Sequence, residues 1–188
     1  MGKGIVEQLQ REYSLEVKWI GYELHPETPK EGALLKEAFP DLDIDKMMTS
    51  LNKAGEPYGV AFKKMEVNSN TRLALEASEF AREYGKFVEF HDAVFKAYFE
   101  AGQDIGKLET VLACGQQVGL DVNLLKQALQ QKKYAPVIDN NRALGAQHKV
   151  AGLPTFIFEN GKKIVGAQNY DTFVRAIKES PTIEKFRI

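Results

Sequence analysis

Ile5, Val6 and Leu9 are spaced for one face of a helix over residues 5–13. Met1, Lys3 and two glycines precede it, so no Ser, Thr, Asp or Asn offers a cap. Residues 16–24 read as a strand, with Val17 and Trp19 on one face and Ile20, Tyr22 and Leu24 on the other. Apolar residues on both faces predict a strand covered by layers on both sides. His25-Pro26-Glu27-Thr28-Pro29 breaks regular structure, and residues 32–40 read as a connection.

Residues 44–148 carry almost wholly helical periodicity. Ile44, Met47, Met48 and Leu51 form a first stretch that ends near Gly55 and Pro57. Leu73, Ala77, Phe80, Ala81 and Tyr84 form an apolar stripe, with Asn70 or Ser69 as cap and Gly85 as stop. Phe87, Phe90, Val94, Phe95 and Tyr98 continue the pattern. Asp104 is the expected cap for a helix carrying Leu108, Val111 and Leu112, and Asp121 for one carrying Leu124, Leu125 and Leu129. Tyr134 to Leu144 marks a last helix, with Pro136 tolerated in its first turn. The pattern then changes. Thr155-Phe156-Ile157-Phe158 is short and β-prone, Asn160-Gly161 predicts a type I′ hairpin turn, and Lys163-Ile164-Val165 is the return strand. Asn169 caps a final helix with Tyr170, Phe173, Val174 and Ile177. Strands at both ends with helices between them predict an α/β unit, residues 1–40 and 149–188, interrupted by a helical insertion, residues 41–148.

Charge and composition narrow the function. The chain has 188 residues with Lys+Arg 25 against Asp+Glu 26, a net charge of −1. That balance argues against electrostatic nucleic-acid binding. With 44% hydrophobic and 27% charged residues the chain reads as globular. No apolar run approaches the ~20 residues of a membrane span. No signal-peptide apolar core follows Met1, so the expected location is the cytoplasm. One cysteine, Cys114, forbids an intrachain disulfide, and the three histidines, His25, His91 and His148, are too scattered to suggest a metal site.

Val150-Ala151-Gly152-Leu153-Pro154-Thr155-Phe156 sets a proline immediately before a strand, where its missing N–H is tolerated. A helix, this segment, a β-hairpin and a terminal helix resemble the C-terminal half of the thioredoxin fold, in which this proline is cis. The resemblance extends through Val17-Lys18-Trp19-Ile20-Gly21-Tyr22-Glu23-Leu24-His25-Pro26-Glu27, Asn70-Thr71-Arg72-Leu73-Ala74, Phe95-Lys96-Ala97-Tyr98-Phe99, Val118-Gly119-Leu120-Asp121 and Gly166-Ala167-Gln168. In that order these segments look like the DsbA family, and most like its FrnE-type cytoplasmic branch, related to 2-hydroxychromene-2-carboxylate isomerase.

The resemblance implies an α/β, thioredoxin-like fold with a large helical insertion and thiol–disulfide exchange on a peptide or small thiol substrate. It implies a substrate site at Leu153, whose backbone would pair with an extended peptide, Pro154, which would set the groove and keep metals off nearby thiols, Thr155, which would begin the strand, and Gln168 on the groove wall. Family members carry a first central strand and a C-P-x-C segment at the start of the first helix, where the helix dipole lowers a thiol pKa. Neither is found in this sequence, so it predicts no catalytic residue and no two-thiol cycle. The strands near Trp19 and Phe156 are left without a shared neighbour. Either a shortened form of the natural protein or a sheet completed from another chain is the expectation, and exposed edges predict a homodimer. No cofactor is implied, except glutathione under the alternative of an isomerase or transferase of the 2-hydroxychromene type. A redox-dead peptide-binding or dimerisation module is the remaining alternative.

The other candidates read as structural. Cys114 is expected buried, His25 in a surface turn, His91 in half-buried packing, and His148 beside the groove segment. Phe87, Phe90, Phe95, Tyr98 and Phe99 read as insertion core, and Glu7, Glu12, Glu16 and Glu23 as solvated. Gly2 and Gly4 lack the preceding strand of a phosphate loop.

Overall fold

A computed structural model describes residues 1–63, 65–179 and 186–187, the last two through their backbone. In chain order the elements are α1 (Gly2–Glu12), β1 (Val17–Lys18), β2 (Ala33–Leu34), α2 (Leu35–Ala38), α3 (Ile44–Gly55), β3 (Val67–Asn68), α4 (Arg72–Glu83) and α5 (Phe87–Phe95), which runs on into a π turn at Lys96–Glu100. Then come α6 (Leu108–Gln117), α7 (Val122–Gln130), α8 (Ala135–Gln147), β4 (Thr155–Ile157), β5 (Lys163–Val165), α9 (Tyr170–Lys178) and β6 (Phe186–Arg187). Of the range 149–188 predicted for the α/β unit, residues 180–185 and 188 lie outside the described residues.

The main sheet has the order β1-β6-β4-β5. β6 runs parallel to β1, with Val17 opposite Phe186 and Lys18 opposite Arg187, and antiparallel to β4, with Ile157 opposite Arg187. This corrects the expectation of two strands without a shared neighbour: the C-terminal segment stands between them. Of the strand predicted over residues 16–24, the structure gives Val17 and Lys18 as β1, both paired with β6. Residues 32–40 are likewise more than a connection. Ala33 and Leu34 pair antiparallel with Asn68 and Val67, a partner too distant for local pattern to reveal.

The caps are partly as expected. Asp121 and Asn169 accept backbone N–H groups at the starts of α7 and α9, and Asp43, not among the expected caps, does the same for α3. Asp104 does not cap α6. It accepts from Gly106 N at 2.9 Å, one turn earlier, and Lys107 holds the cap position. Of the two residues proposed to cap α4, Asn70 accepts from Arg72 N at 3.0 Å, while the hydroxyl of Ser69 is buried without a hydrogen-bond partner among the described residues. The β4–β5 turn is not type I′, since only Gly161 has positive φ (80°). Gly161 N donates to Phe158 O and Phe158 N to Lys162 O, giving a three-residue loop with glycine in the left-handed position.

Three apolar clusters hold these elements. Ala77, Phe80, Phe90, Val111, Leu125 and Leu129 lie at the centre of one built by α4–α7. Ile5, Val6 and Leu9 of α1, Phe156 of β4, Ile164 of β5 and Phe173 and Ile177 of α9 form the second, on one face of the sheet. Leu35, Met48 and Met65 form a small third. Cys114 is buried in the first, where burial pushes its thiol pKa up. The predicted aromatic group divides. Phe90 is core, whereas His91 stacks on the half-exposed Phe95 at 4.1 Å between centroids and Arg82 lies over Phe87.

Candidate functional site at the Leu153–Pro154 segment

The peptide bond between Leu153 and Pro154 is cis. Gly152 to Pro154 forms the bend between α8 and β4, and Thr155 closes it by donating its hydroxyl to Gly152 O at 2.6 Å. Thr155 is buried, so its hydroxyl is committed to this bend. Pro154 O accepts from Gly166 N at 2.8 Å, tying the bend to the end of β5. Gln168 is exposed and donates to Val165 O at 3.0 Å, closing the turn that leads to α9. Leu153 differs from these neighbours. Its residue is 48% exposed, and its backbone N–H and C=O make no hydrogen bond to another described residue.

Pro154 faces the first turn of α1. A Cβ placed on Gly2 would stand 3.0 Å from Pro154 Cγ and 3.4 Å from Phe156 Cζ, and one on Gly4 only 2.7 Å from the Tyr58 ring. These two glycines, unremarkable as a phosphate motif, let the start of α1 lie against the bend and the turn at Tyr58. Lys3 between them bridges to the insertion, with its ammonium 2.8 Å from Glu7 and 2.9 Å from Asp92. Burial works against the charge, but hydrogen bonds to Glu7 and Asp92 outweigh it and hold the Lys3 pKa above its ordinary value. Next to Asp92, His91 lies among Trp19, Phe87 and Phe95, and desolvation there lowers its pKa against the opposing pull of Asp92.

On the opposite face of β4 a cavity opens beneath α8. Ile20, Tyr22, Leu144, His148, Leu153 and Thr155 are among the residues around it. His148 therefore adjoins the bend, while His25 is a surface residue whose ring nitrogen lies 2.9 Å from Glu27. Sequence reasoning missed Tyr22 and Gly145 as a pair. A Cβ on Gly145 would come within 2.1 Å of the Tyr22 ring, and the available signal was a glycine inside an otherwise continuous helix.

A second omission was Glu23, expected to be solvated. It is 5% exposed, with Arg72 at 3.2 Å and Arg142 at 3.9 Å. Arg72 also reaches Glu76 at 2.7 Å, Asp139 at 2.8 Å and Ala135 O at 3.0 Å. Burial alone would destabilise its cation, but the three carboxylates more than compensate and raise its pKa. This cluster locks the segment after β1 to α4 and α8. Among the described residues, no group of three or more His, Cys, Asp or Glu is placed to hold a metal ion, and no helix is long and apolar enough to cross a membrane.

The family model for the DSBA-like thioredoxin domain matches residues 1–178. The chain belongs to the DSBA-like thioredoxin domain family. Over 187 residues it is 30% identical to the uncharacterized protein YwbO of Bacillus subtilis, covering 95% of this chain and 89% of that one. Over 112 residues it is 29% identical to part of the Na(+)/H(+) antiporter NhaA 3 of Salinispora tropica, covering 60% of this chain but 16% of the antiporter. Among solved structures, a probable DsbA oxidoreductase from Streptomyces coelicolor superposes with a TM-score of 0.86 at 19% identity, over 95% of this chain and 82% of that one. A 2-hydroxychromene-2-carboxylate isomerase superposes with 0.74 at 16% identity, over 95% and 87%. Both likenesses concern the fold, which is thioredoxin-like with α/β and helical parts.

Proposed function

We propose that this chain is a thiol–disulfide oxidoreductase module of the DsbA type whose residues supply the substrate-binding half, and that the 188-residue chain does not itself exchange disulfides. The observation that carries this reading is the meeting of Pro154 with the first turn of α1, beside an exposed Leu153 whose backbone groups bond to no other described residue. An extended peptide can add there as a short strand, with main-chain bonds giving affinity independent of its sequence. A helix N-terminus next to the bound peptide is where a thiolate would be stabilised. Cys114 does not serve, because it is buried in α6 with a raised pKa. Leu153 is the proposed peptide contact, Pro154 and Thr155 hold its geometry, and Gln168 braces the adjoining turn.

The test compares the 188-residue chain with one extended at its N-terminus by a strand ending in Cys-Pro-X-Cys. Reduction of insulin disulfides is expected from the extended chain and not from the shorter one. Failure of the folded extended chain to exchange disulfides with any dithiol peptide overturns the reading, and retention of that chain on immobilised glutathione instead supports the isomerase-type alternative.

A further inference from the structure

Asp92 stands between two nitrogens that differ in when they are charged. Its carboxylate receives the Lys3 ammonium at 2.9 Å on each oxygen. Its Oδ1 also lies 3.5 Å from His91 Nδ1. The first contact is a hydrogen-bonded ion pair. The second is too long for a good N–H···O bond but within a small side-chain rotation of one. Lys3 is charged throughout the neutral range, whereas His91 becomes a cation only on taking up a proton.

The surroundings of His91 make that proton consequential. Its ring stacks on Phe95, 4.1 Å between centroids and 24° between planes, with Phe87 at 6.2 Å and Trp19 at 5.7 Å. Trp19 packs with the sheet cluster and the two phenylalanines belong to α5, so the ring sits where the two regions meet. The charged groups around it come from α5, α1 and α4. Asp92 is on α5 itself. Lys3 and, beyond it, Glu7 are on α1. Arg82 of α4 lies 3.7 Å over the Phe87 ring and donates to Trp19 O at 3.0 Å. Protonation therefore adds a further cation beside Lys3 and Arg82, on a side chain only 19% exposed. Desolvation resists it most and Lys3 adds to the resistance, while Asp92 favours it.

Turning Asp92 toward His91 leaves neither cation alone. Lys3 keeps Glu7, one turn along α1 at 2.8 Å. What is given up is the bond from Lys3 to α5, a tie between the first turn of α1 and the helical insertion. That same turn carries Gly2 against Pro154 and Gly4 against Tyr58.

We propose that Asp92 is a two-position latch: beside neutral His91 it holds Lys3 and ties α1 to α5, and beside protonated His91 it turns to the imidazolium and releases the first turn of α1. The proton comes from water, and His91 then donates from Nδ1 to the carboxylate. Because burial opposes the charge, the latch works on the acid side of the ordinary histidine value of 6.5. Its effect on peptide capture at Leu153 rests on the reading given above. The latch itself does not, and its two measurements stand whether or not peptide binds.

The test titrates the full chain between pH 7.5 and 5. Trp19 is the only tryptophan, and an imidazolium quenches a neighbouring indole more strongly than an imidazole does. A sigmoidal loss of Trp19 fluorescence with a midpoint below 6.5 is expected, and its absence in His91→Gln. Over the same range the hydrogen-exchange protection factors of Ile5, Val6 and Glu7 should fall about two- to fivefold, as for loss of one partly exposed ion pair. Asp92→Asn and Lys3→Gln should show the lower protection at both ends of the range, and Lys3→Gln should keep the fluorescence loss. His91→Gln should keep the higher protection at both ends. Equal protection at pH 7.5 and 5 in the unaltered chain overturns the latch. So does a fluorescence midpoint above 6.5, or a fluorescence loss that persists in His91→Gln. A pH-dependent protection change that survives in Asp92→Asn assigns it to another group and also overturns the proposal. Should Asp92→Asn fail to fold, Lys3→Gln and the unaltered chain decide.

Discussion

Phe80, Phe90, Val111 and Leu125 meet in a cluster drawn entirely from residues 74–134, whereas beneath the sheet Ile5 and Leu9 meet Phe156 and Phe173 from the far end of the chain. The helical cluster forms from neighbouring helices joined by short turns, so each helix satisfies its own backbone and needs its neighbours only to cover an apolar face. The sheet cluster rests on strands of two or three residues, and apart from the β4–β5 hairpin their partners lie far along the chain. One region is held by local periodicity plus packing. The other is held by closure of long loops, and it is there that the exposed Leu153, the cavity and the short central strand occur. The proposed peptide contact at Leu153 falls in the part whose strands are shortest.

The contrast is most exposed to large-to-small substitutions. Phe90→Ala and Phe173→Ala remove fully buried rings from the two clusters, and each is expected to cost about 3–5 kcal/mol. Trp19, the only tryptophan, packs against the sheet cluster. In urea titrations, Phe173→Ala should bring the Trp19 fluorescence transition to lower denaturant than the far-UV circular dichroism transition. Phe90→Ala should move the circular dichroism transition most. Coincident transitions in both variants would show a single cooperative unit and erase the distinction.

Next in size is the ionic cluster that joins the two regions. Arg72→Ala leaves Glu23 and Glu76 buried without their shared cation, and a loss of about 3 kcal/mol is expected, at the lower end for a buried pair because Arg72 is 24% exposed. Combining it with Glu23→Gln and Glu76→Gln should recover part of that loss. No recovery in chemical denaturation would mean that the arginine acts through packing and its bond to Ala135 O.

Gly145→Ala forces a methyl group toward the Tyr22 ring. Overpacking of about 1–3 kcal/mol is expected to outweigh the roughly 1 kcal/mol that alanine gains in a helix. Tyr22→Leu in the same chain should reverse the sign, so that thermal melting separates the two terms. Smaller again are the caps. Asp121→Ala in the helical region and Asn169→Ala beside the sheet should each cost about 1 kcal/mol. A much larger loss at Asn169 than at Asp121 would mark the sheet region as the weaker one.

The smallest effect is a pH dependence through His91. Its folded-state pKa lies below the ordinary value of 6.5, so the unfolded chain takes up the proton more readily. The contribution of neutral His91 is therefore full above about pH 6.5 and is lost as pH falls through the depressed folded value. Melting temperatures between pH 7.5 and 5 should fall less steeply in His91→Gln than in the unaltered chain, and parallel curves would remove His91 from the account.

Particular residues show how far the sequence could be read. Asp121 and Asn169 announced their helices because a cap needs only its own next three residues. Pro154 placed the bend, and the family resemblance gave it a setting. Glu23 was misread because its partners, Arg72 and Arg142, lie 49 and 119 residues away, and nothing near it marks it as buried. Leu153 could be named as a candidate contact, but the roles of Gly2 and Gly4 against Pro154 and Tyr58 could not, since close approach is a property of two surfaces.

Periodicity, caps and turn residues determined by themselves that the middle of this chain is helical and that its last part is a hairpin followed by a helix, because those signals act over a few residues along one backbone. Only the tertiary structure decided that Phe186 and Arg187 stand between β1 and β4, that Glu23 is buried against two arginines, and that a cavity remains beside Thr155. A strand has no internal hydrogen bonds to fix it, so its place and length are set by whichever distant segment it meets.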